Sequence, residues 1–367
     1  MPKSVYIHIP FCKSKCHYCS FISYPKLELK KDYLKILEKE INSIYNNEPL
    51  YTLYFGGGTP SLLEPHEFYS LIRHFNISSS TEITTELNPD GINSEGLSFD
   101  YLRALKDFGI NRISIGAQSF DDNILKFINR RHNSSQIIQA VKNAQNVGFN
   151  NISLDFIYGL PYQTEEMFLS DLKKAVSLGI THISLYGLSI ENGCFFYDNM
   201  PQNIADDDMQ ADMYLKAIEL LTSLNFEHYE ISNFCRHGYE SKHNLNYWNN
   251  EEYYGFGVAA HGYVNGVRYG NETSIENYIK DPYKKSEERI ETTQDKLEEE
   301  IFLGFRKMNG IDINIINSKY NINFEEKYLN ILKKYEDLNL IKKTSSGYKL
   351  TPNGILVSNT ILADFLN

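Results

Sequence analysis

Five cysteines, eleven prolines and a single tryptophan are spread over 367 residues. So few cysteines, in an odd number, cannot build a disulfide scaffold; a metal site or reactive thiols stay open. Positive charge is scarce as well: 36 Lys and Arg face 47 Asp and Glu, a formal net charge of −11. A grip on DNA or RNA needs a basic face, so no nucleic-acid partner is expected. No apolar run reaches about 18 residues, which excludes a spanning helix but leaves peripheral membrane contact open. The first ten residues hold no apolar stretch of signal-peptide length, and cytoplasmic residence is the expectation. There is no fixed-period repeat and no low-complexity tract. With 42% hydrophobic and 23% charged residues, the chain has an ordinary globular balance.

What is present is a series of short β-rich runs alternating with amphipathic stretches. Ser4–Ile9, Tyr51–Phe55, Thr81–Glu86, Arg112–Ile115, Ile152–Ile157 and His182–Leu188 read as strands. Helical spacing falls between them, as in Tyr33, Leu34, Leu37, Ile41 and Ile44. Six βα units in a row predict a mostly parallel sheet with right-handed crossovers, curling toward a partial α/β barrel. Ligand sites then collect at the C-terminal strand ends, although an open sheet would use the same edge. A further strand is expected over Tyr229–Phe234. The charged stretch Asp281–Asp295 reads as a linker, dividing a barrel over 1–285 from a small domain over 291–367. In that domain helices are expected over Glu298–Met308, Asp312–Lys319 and Phe324–Leu338. A hairpin follows from Ile341–Lys343 and Tyr348–Thr351, then a helix from Pro352, which together suggest a helical, winged-helix-like module. Its 10 basic and 11 acidic residues make DNA binding the weaker use of that module.

Three cysteines sit together, as Cys12, Cys16 and Cys19. Three thiolates can hold a 4Fe–4S cube and leave one iron without a protein ligand, open to a small chelating molecule. The alternatives are a zinc site completed by His17 or His8, or unrelated buried thiols. No second Cys/His pair follows at zinc-finger distance. Cys194 and Cys235 read as small buried residues. Gly56-Gly57-Gly58-Thr59-Pro60 ends the second strand; glycines there allow close backbone approach to a ligand, or mark only a turn.

The Cys-x3-Cys-x2-Cys triad after a first strand resembles the signature of radical S-adenosylmethionine (SAM) enzymes. The segment Tyr6-Ile7-His8-Ile9-Pro10-Phe11-Cys12 is similar to the branch containing oxygen-independent coproporphyrinogen III oxidase and the HemW heme chaperones. This resemblance, which extends over nearly the whole chain, implies a partial (βα)6 radical SAM barrel and a 4Fe–4S cluster on Cys12, Cys16 and Cys19. It implies SAM on the free iron, cleaved after one-electron transfer to methionine and a 5′-deoxyadenosyl radical. Tyr6, Gly58, Thr59, Glu86, Gln118, Arg130 and Asp155 match the family's SAM-contacting positions. Carboxylates suit ribose hydroxyls and an ammonium group, and arginine suits a carboxylate. Taken singly, each also reads as a loop or surface residue.

Two features separate functions within the branch. The oxidase has a fourth cysteine two residues after the triad, where this chain has Phe21, and an N-terminal extension before the barrel, whereas the triad here begins at position 12. His243-Asn244-Leu245-Asn246-Tyr247-Trp248 matches an H-N-x-x-Y-W motif that the resemblance links to heme. His243 and His261 are the candidate axial ligands; the alternative for His243 is a structural histidine in an aromatic cluster. Both follow the sixth strand, so heme and SAM are expected in separate parts of one cleft. The resemblance thus implies a protein that binds heme and delivers it to apo-cytochromes or other respiratory heme proteins, with cluster-dependent homodimers known among its members. A radical SAM enzyme acting on a porphyrin and a non-catalytic, partner-binding regulator are the two other classes considered.

Overall fold

A computed structural model describes residues 2–366; the terminal Met1 and Asn367 of the two expected domains lie outside it. Six strands carry the expected series: β1 (Ser4–Ile9), β2 (Thr52–Gly57), β3 (Glu82–Leu87), β4 (Arg112–Gln118), β5 (Asn151–Tyr158) and β6 (His182–Gly187). All five pairings between them are parallel. Helices cover their outer face, with local sequence stopping and starting them. The helix Ser134–Val147 opens on a capping box between Asn133 and Gln136, and ends at Gly148 with φ +95°.

The sheet is larger than six strands. β7 (Glu227–Glu230) and β8 (Asn233–Cys235) add an antiparallel hairpin beside β6. At the opposite edge, β9 (Tyr253–Phe256) lies parallel to β1, and β10 (His261–Val264), β11 (Val267–Asn271) and β12 (Lys285–Ile290) follow antiparallel. The order is β12-β11-β10-β9-β1-β2-β3-β4-β5-β6-β8-β7, so β6 and β9 do not meet and the barrel stays open.

Two expectations are corrected here. The single strand over Tyr229–Phe234 is a hairpin, turned at Ile231 and Ser232. The linker over Asp281–Asp295 contains β12, paired with β11 from Val267↔Ile290 to Asn271↔Lys285. Its polarity is that of an edge strand with exposed side chains, and one residue turns inward. Lys285 Nζ lies 3.8 Å from Glu40, a fully buried carboxylate on the helix Lys30–Ile44. Glu40 also accepts from Tyr278 Oη (2.7 Å), Gly257 N (2.8 Å) and Asn271 Nδ2 (3.0 Å). One carboxylate thereby ties the β9–β12 extension to the barrel's first helix.

Residues 293–363 form the small module. Its three strands, β13 (Ile311–Asp312), β14 (Ile341–Lys343) and β15 (Gly347–Leu350), pair antiparallel in the order β13-β15-β14. The expected helix over Phe324–Leu338 is broken into Phe324–Lys327 and Leu329–Asp337, with Tyr328 between them in a non-helical conformation (φ −110°, ψ 19°). The module has its own core around Ile301, Phe305, Phe324 and Phe365, joined by Tyr214 from the barrel helix Asp207–Ser223. It docks on the β7–β8 turn through Ile231 N to Arg306 O (3.0 Å) and Met308 N to Tyr229 O (3.1 Å).

The inner face of the parallel strands is polar, because strand alternation turns every second residue inward. One row runs Tyr6, Tyr54, Thr84, Arg112; the next contains Glu86, Ser114, Ser153 and His182. The outward residues, among them Leu53, Phe55, Ile113, Ile115, Leu154 and Phe156, are buried under the helices. Glu40→Ala leaves two buried donors, Tyr278 Oη and Gly257 N, unpaired at a cost of about 2 kcal/mol or more, while Asn271 Nδ2 keeps its carbonyl partners. We expect a lower urea midpoint for Glu40→Ala, and a much smaller change for Lys285→Met, where the carboxylate keeps its three other donors.

Candidate functional site

A cavity of about 530 Å³ opens at the C-terminal ends of the parallel strands. It gathers residues far apart in sequence: Cys12, Cys16 and Cys19, then Gly58 and Thr59, then Glu86, Gln118, Arg130 and Asp155. Of the residues singled out for SAM, Tyr6 alone does not line it. Tyr6 lies lower on β1, its ring parallel to that of Tyr54 at 6.1 Å and its hydroxyl 3.1 Å from His8 Nδ1.

The cysteine loop leaves β1 over the end of β2. Gly58 N donates to Ile9 O at 2.8 Å. A side chain at Gly58 would come within 2.8 Å of Phe11 O, so only glycine lets the two segments pass. The close approach is therefore to the chain's own backbone. Thr59 Oγ1 sits 3.3 Å from Cys12 Sγ and accepts from Asn88 Nδ2 at 3.2 Å. Arg130 fixes the other side: Nη1 donates to Cys16 Sγ at 3.6 Å, and Nη2 to Asn88 Oδ1 (2.8 Å) and Gly116 O (2.7 Å).

The three thiols are free and partly exposed. Burial raises Cys12, and pushes Cys19 up to about 11. Among the described residues, one group of three metal-ligating side chains has its ligand atoms within 4.8 Å of one another: the exposed Glu227 and His237 with the half-buried Glu240. The cysteine triad does not meet that spacing. A single zinc ion holds its sulfurs at about 2.3 Å and needs them close together, whereas each thiolate of a cube serves its own iron. The donor set thus suits a three-thiolate cluster better than zinc. Cys194 and Cys235 are buried and line no part of the cavity. His17 faces away, its Nδ1 bonded to Phe127 O at 2.9 Å.

Two carboxyls form the polar floor. Glu86 accepts from Tyr54 Oη (2.9 Å) and Gly57 N (3.2 Å). Burial, with the Asp155 charge adding to it, pushes its carboxyl up to about 7 against the pull of those donors. Asp155 accepts from Ser114 Oγ at 2.9 Å on both oxygens and from Ser153 Oγ at 3.2 Å; burial raises it too. Gln118 stands at a bulge in β4 with φ +67°, which turns its amide beside Arg130 over Gly116. Together these groups offer ribose-type hydroxyls, an ammonium group and a carboxylate the partners that each requires. Asn88, Ser114 and Tyr54 were not singled out in the sequence. Inward strand alternation marks Tyr54 and Ser114, and the Asn88-Pro89 strand exit marks the third.

The two histidines proposed for heme do not line this cavity, so the expected common cleft is not found. His243 sits on the short helix Lys242–Trp248, which closes the opposite, N-terminal end of the barrel. There Asn246 accepts from Ser4 Oγ (2.9 Å), and His243 N donates to Glu82 Oε1 (3.1 Å). Both ring nitrogens of His243 are engaged, Nδ1 by Thr52 Oγ1 (2.7 Å) and Nε2 by Tyr247 Oη (2.8 Å). Burial lowers the imidazole to about 3, and its ring stacks on Tyr54 at 4.8 Å. Tyr247 and Trp248 line a second cavity of about 490 Å³ that reaches Phe302 and Leu303 of the C-terminal module. His261 opens β10, its side chain 64% exposed and its Nδ1 3.4 Å from Glu287.

The radical SAM superfamily model matches residues 6–175, and the HemN C-terminal domain model matches residues 292–357. The heme chaperone HemW of Bacillus subtilis (strain 168) is 37% identical, over 99% of this chain and 99% of the relative. That of Lactococcus lactis subsp. lactis (strain IL1403) is 35% identical, over 100% and 97%. Coproporphyrinogen III oxidase (HemN) from Escherichia coli shares the fold, with a TM-score of 0.86 and 22% identity over 100% of this chain and 90% of that one. No helix among the described residues is long and apolar enough to cross a membrane. The polar half-barrel, the three-cysteine loop over its open end and the full-length similarity together make this chain a member of the HemW family within the radical SAM superfamily.

Proposed function

We propose that the protein carries heme and hands it to apo-cytochromes or other respiratory heme proteins, holding a 4Fe–4S cluster and SAM in the barrel. The observation that supports this most is the convergence of Cys12, Cys16 and Cys19 with Glu86, Gln118, Arg130 and Asp155 on one cavity, with no fourth thiol beside them. Position 21 is an exposed Phe, where the oxidase pattern asks for cysteine. Full-length similarity to heme chaperones supports heme as the cargo.

When bound, the cluster would supply a single electron and an open iron for the amino and carboxylate groups of SAM. The protein's own part is positioning. Arg130, anchored on Asn88 and Gly116, holds positive charge beside the Cys16 sulfur. Glu86 and Asp155 are held by fixed donors, so their free lone pairs meet a ligand without rearrangement. Gln118, Gly58 and Thr59 complete the wall, and Tyr6 braces it from below. For heme, His261 is the accessible one of the two candidate histidines. His243 would have to give up a buried hydrogen bond first.

Anaerobic reconstitution should load the wild type with iron and sulfide, and Cys16→Ser should lose most of both together with the cluster absorption. Stoichiometric zinc without sulfide would overturn the cluster assignment. Glu86→Ala and Asp155→Ala should keep the cluster but weaken SAM binding by roughly 10- to 150-fold, the loss of one hydrogen bond to a charged group of about 1.5–3 kcal/mol. Unchanged affinity in both variants would remove them from the site. Heme transfer to an apo-cytochrome tests the carrier reading. Conversion of coproporphyrinogen III by the same preparation would replace it with the enzyme reading.

A titration follows from the floor of the site. A carboxyl raised to about 7 is protonated below that pH and ionised above it. Tyr54→Phe removes a donor that favours the ionised form and so moves the midpoint higher. Infrared difference spectra should show a protonated-carboxyl band lost near neutral pH in the wild type, lost at higher pH in Tyr54→Phe, and missing in Glu86→Gln.

A further inference from the structure

His17 stands between Cys16 and Tyr18, both of which line the cavity, yet its own side chain lies outside. The backbone there is clamped: His17 N donates to Ile128 O at 3.1 Å, and His17 O accepts from Phe196 N at 2.9 Å. Nδ1 lies 2.9 Å from Phe127 O. A carbonyl only accepts, so the neutral imidazole carries its proton on Nδ1 and its lone pair on Nε2. Among the described residues no hydrogen bond engages that Nε2. A backbone carbonyl holding one ring nitrogen while the other stays open is the arrangement that prepares a histidine for a metal.

The surroundings select which metal species. The imidazole stacks on Phe195 at 4.2 Å and meets the edge of Phe196 at 5.5 Å. Phe127 packs edge-on to Tyr162 at 5.1 Å. Tyr162, Phe195 and Tyr197 are half-exposed, at 51%, 50% and 53%. Exposed aromatics gathered in this way mark a binding surface. Two lysines lie close to it in the chain, which has net charge −11: Lys15, bonded to Gly193 O at 3.2 Å just before Phe195, and exposed Lys126, which precedes Phe127 on its helix. No carboxylate or thiol joins His17 in a group close enough for a bare ion. An apolar platform, one open imine nitrogen and two cations match a flat, iron-bearing macrocycle with two carboxylates.

Resting on the carrier reading above, we propose that His17 is an axial ligand to heme, bound on the outer side of the cysteine loop. Ligation forms one Fe–N bond from the Nε2 lone pair and displaces a weakly held water. No electron moves, and Nδ1 keeps its proton.

The experiment is a hemin titration of the full-length, anaerobically reconstituted protein, with iron and sulfide measured on each variant. His17→Ala should retain its cluster, lose the nitrogen-ligated Soret signature and bind hemin about tenfold more weakly or worse. Added imidazole should restore the signature. Lys126→Glu, at an exposed residue that does not line the cysteine cavity, should weaken binding of hemin but not of its dimethyl ester, which keeps the test open if His17→Ala does not hold a cluster. Wild-type spectrum and affinity in His17→Ala would overturn the assignment. So would loss of the signature in His261→Ala with His17→Ala unaffected. Failure of the wild type to bind any hemin would instead sink the carrier reading on which the assignment rests.

Discussion

Strand alternation forces a choice on every two-faced sheet, and here it has been settled in favour of a polar interior. Arg112, Glu82, Glu86, Asp155, His182 and His243 all lie within the half-barrel, each buried to a degree that would be costly without partners. Their satisfaction is shared. Burial alone would lower Arg112, yet the charge of Glu82 and its neighbours holds it raised, while burial and, after it, that same guanidinium lower the His243 and His182 rings. The interior behaves as one network, and the cavity at its upper end inherits carboxyls whose position and charge were fixed from below.

That dependence gives the H-N-x-x-Y-W segment a physical role in the barrel. His243 is joined to Thr52 and Tyr247 and stacked on Tyr54, and Tyr54 donates to Glu86. A column of aromatic and hydrogen-bonded groups thus runs from the barrel base to the cavity floor. Trp248 continues it outward, its ring 4.6 Å from the Arg306 guanidinium in the C-terminal module. The segment connects three parts of the molecule: the strand starts, the cavity floor and the appended module.

Much of this was legible in the sequence, for reasons that can be named. The parallel strands are short apolar-alternating runs, five of them ended or closely followed by Gly or Pro, and all six overlap the expected runs, although β4 continues through Gly116 to Gln118. The Cys12–Cys19 loop and Gly58 follow strands, Glu86 and Gln118 stand at strand ends, Asp155 points inward from β5 and Arg130 follows the short helix after β4, and parallel topology brings these positions to one edge. What the sequence obscured depends on tertiary partners. Lys285–Ile290 is charged because it is an edge strand, and pattern alone cannot tell that from a linker. The side of the barrel that His243 occupies is invisible to a motif, since a segment after the sixth strand can return to either end. Tyr54 and Ser114 carry no motif and were identifiable only as inward members of their strands.

Gly58 shows how far a local constraint reaches. The family pattern reads it as room for a ligand, but the room is taken by Phe11 O, which a Cβ would approach to 2.8 Å. What the glycine permits is the crossing of the β1 exit over the end of β2, and this crossing sets where Cys12 begins. Thr59 then meets Cys12 Sγ, Asn88 meets Thr59, and Arg130 meets both Asn88 and Cys16. Two of the three thiols are therefore positioned by a chain of contacts that starts at a residue with no side chain. The loop's inner side is committed to the sulfurs by this chain, and its outer side, held by Ile128 and Phe196 through the backbone of His17, is free to present a different group to solvent.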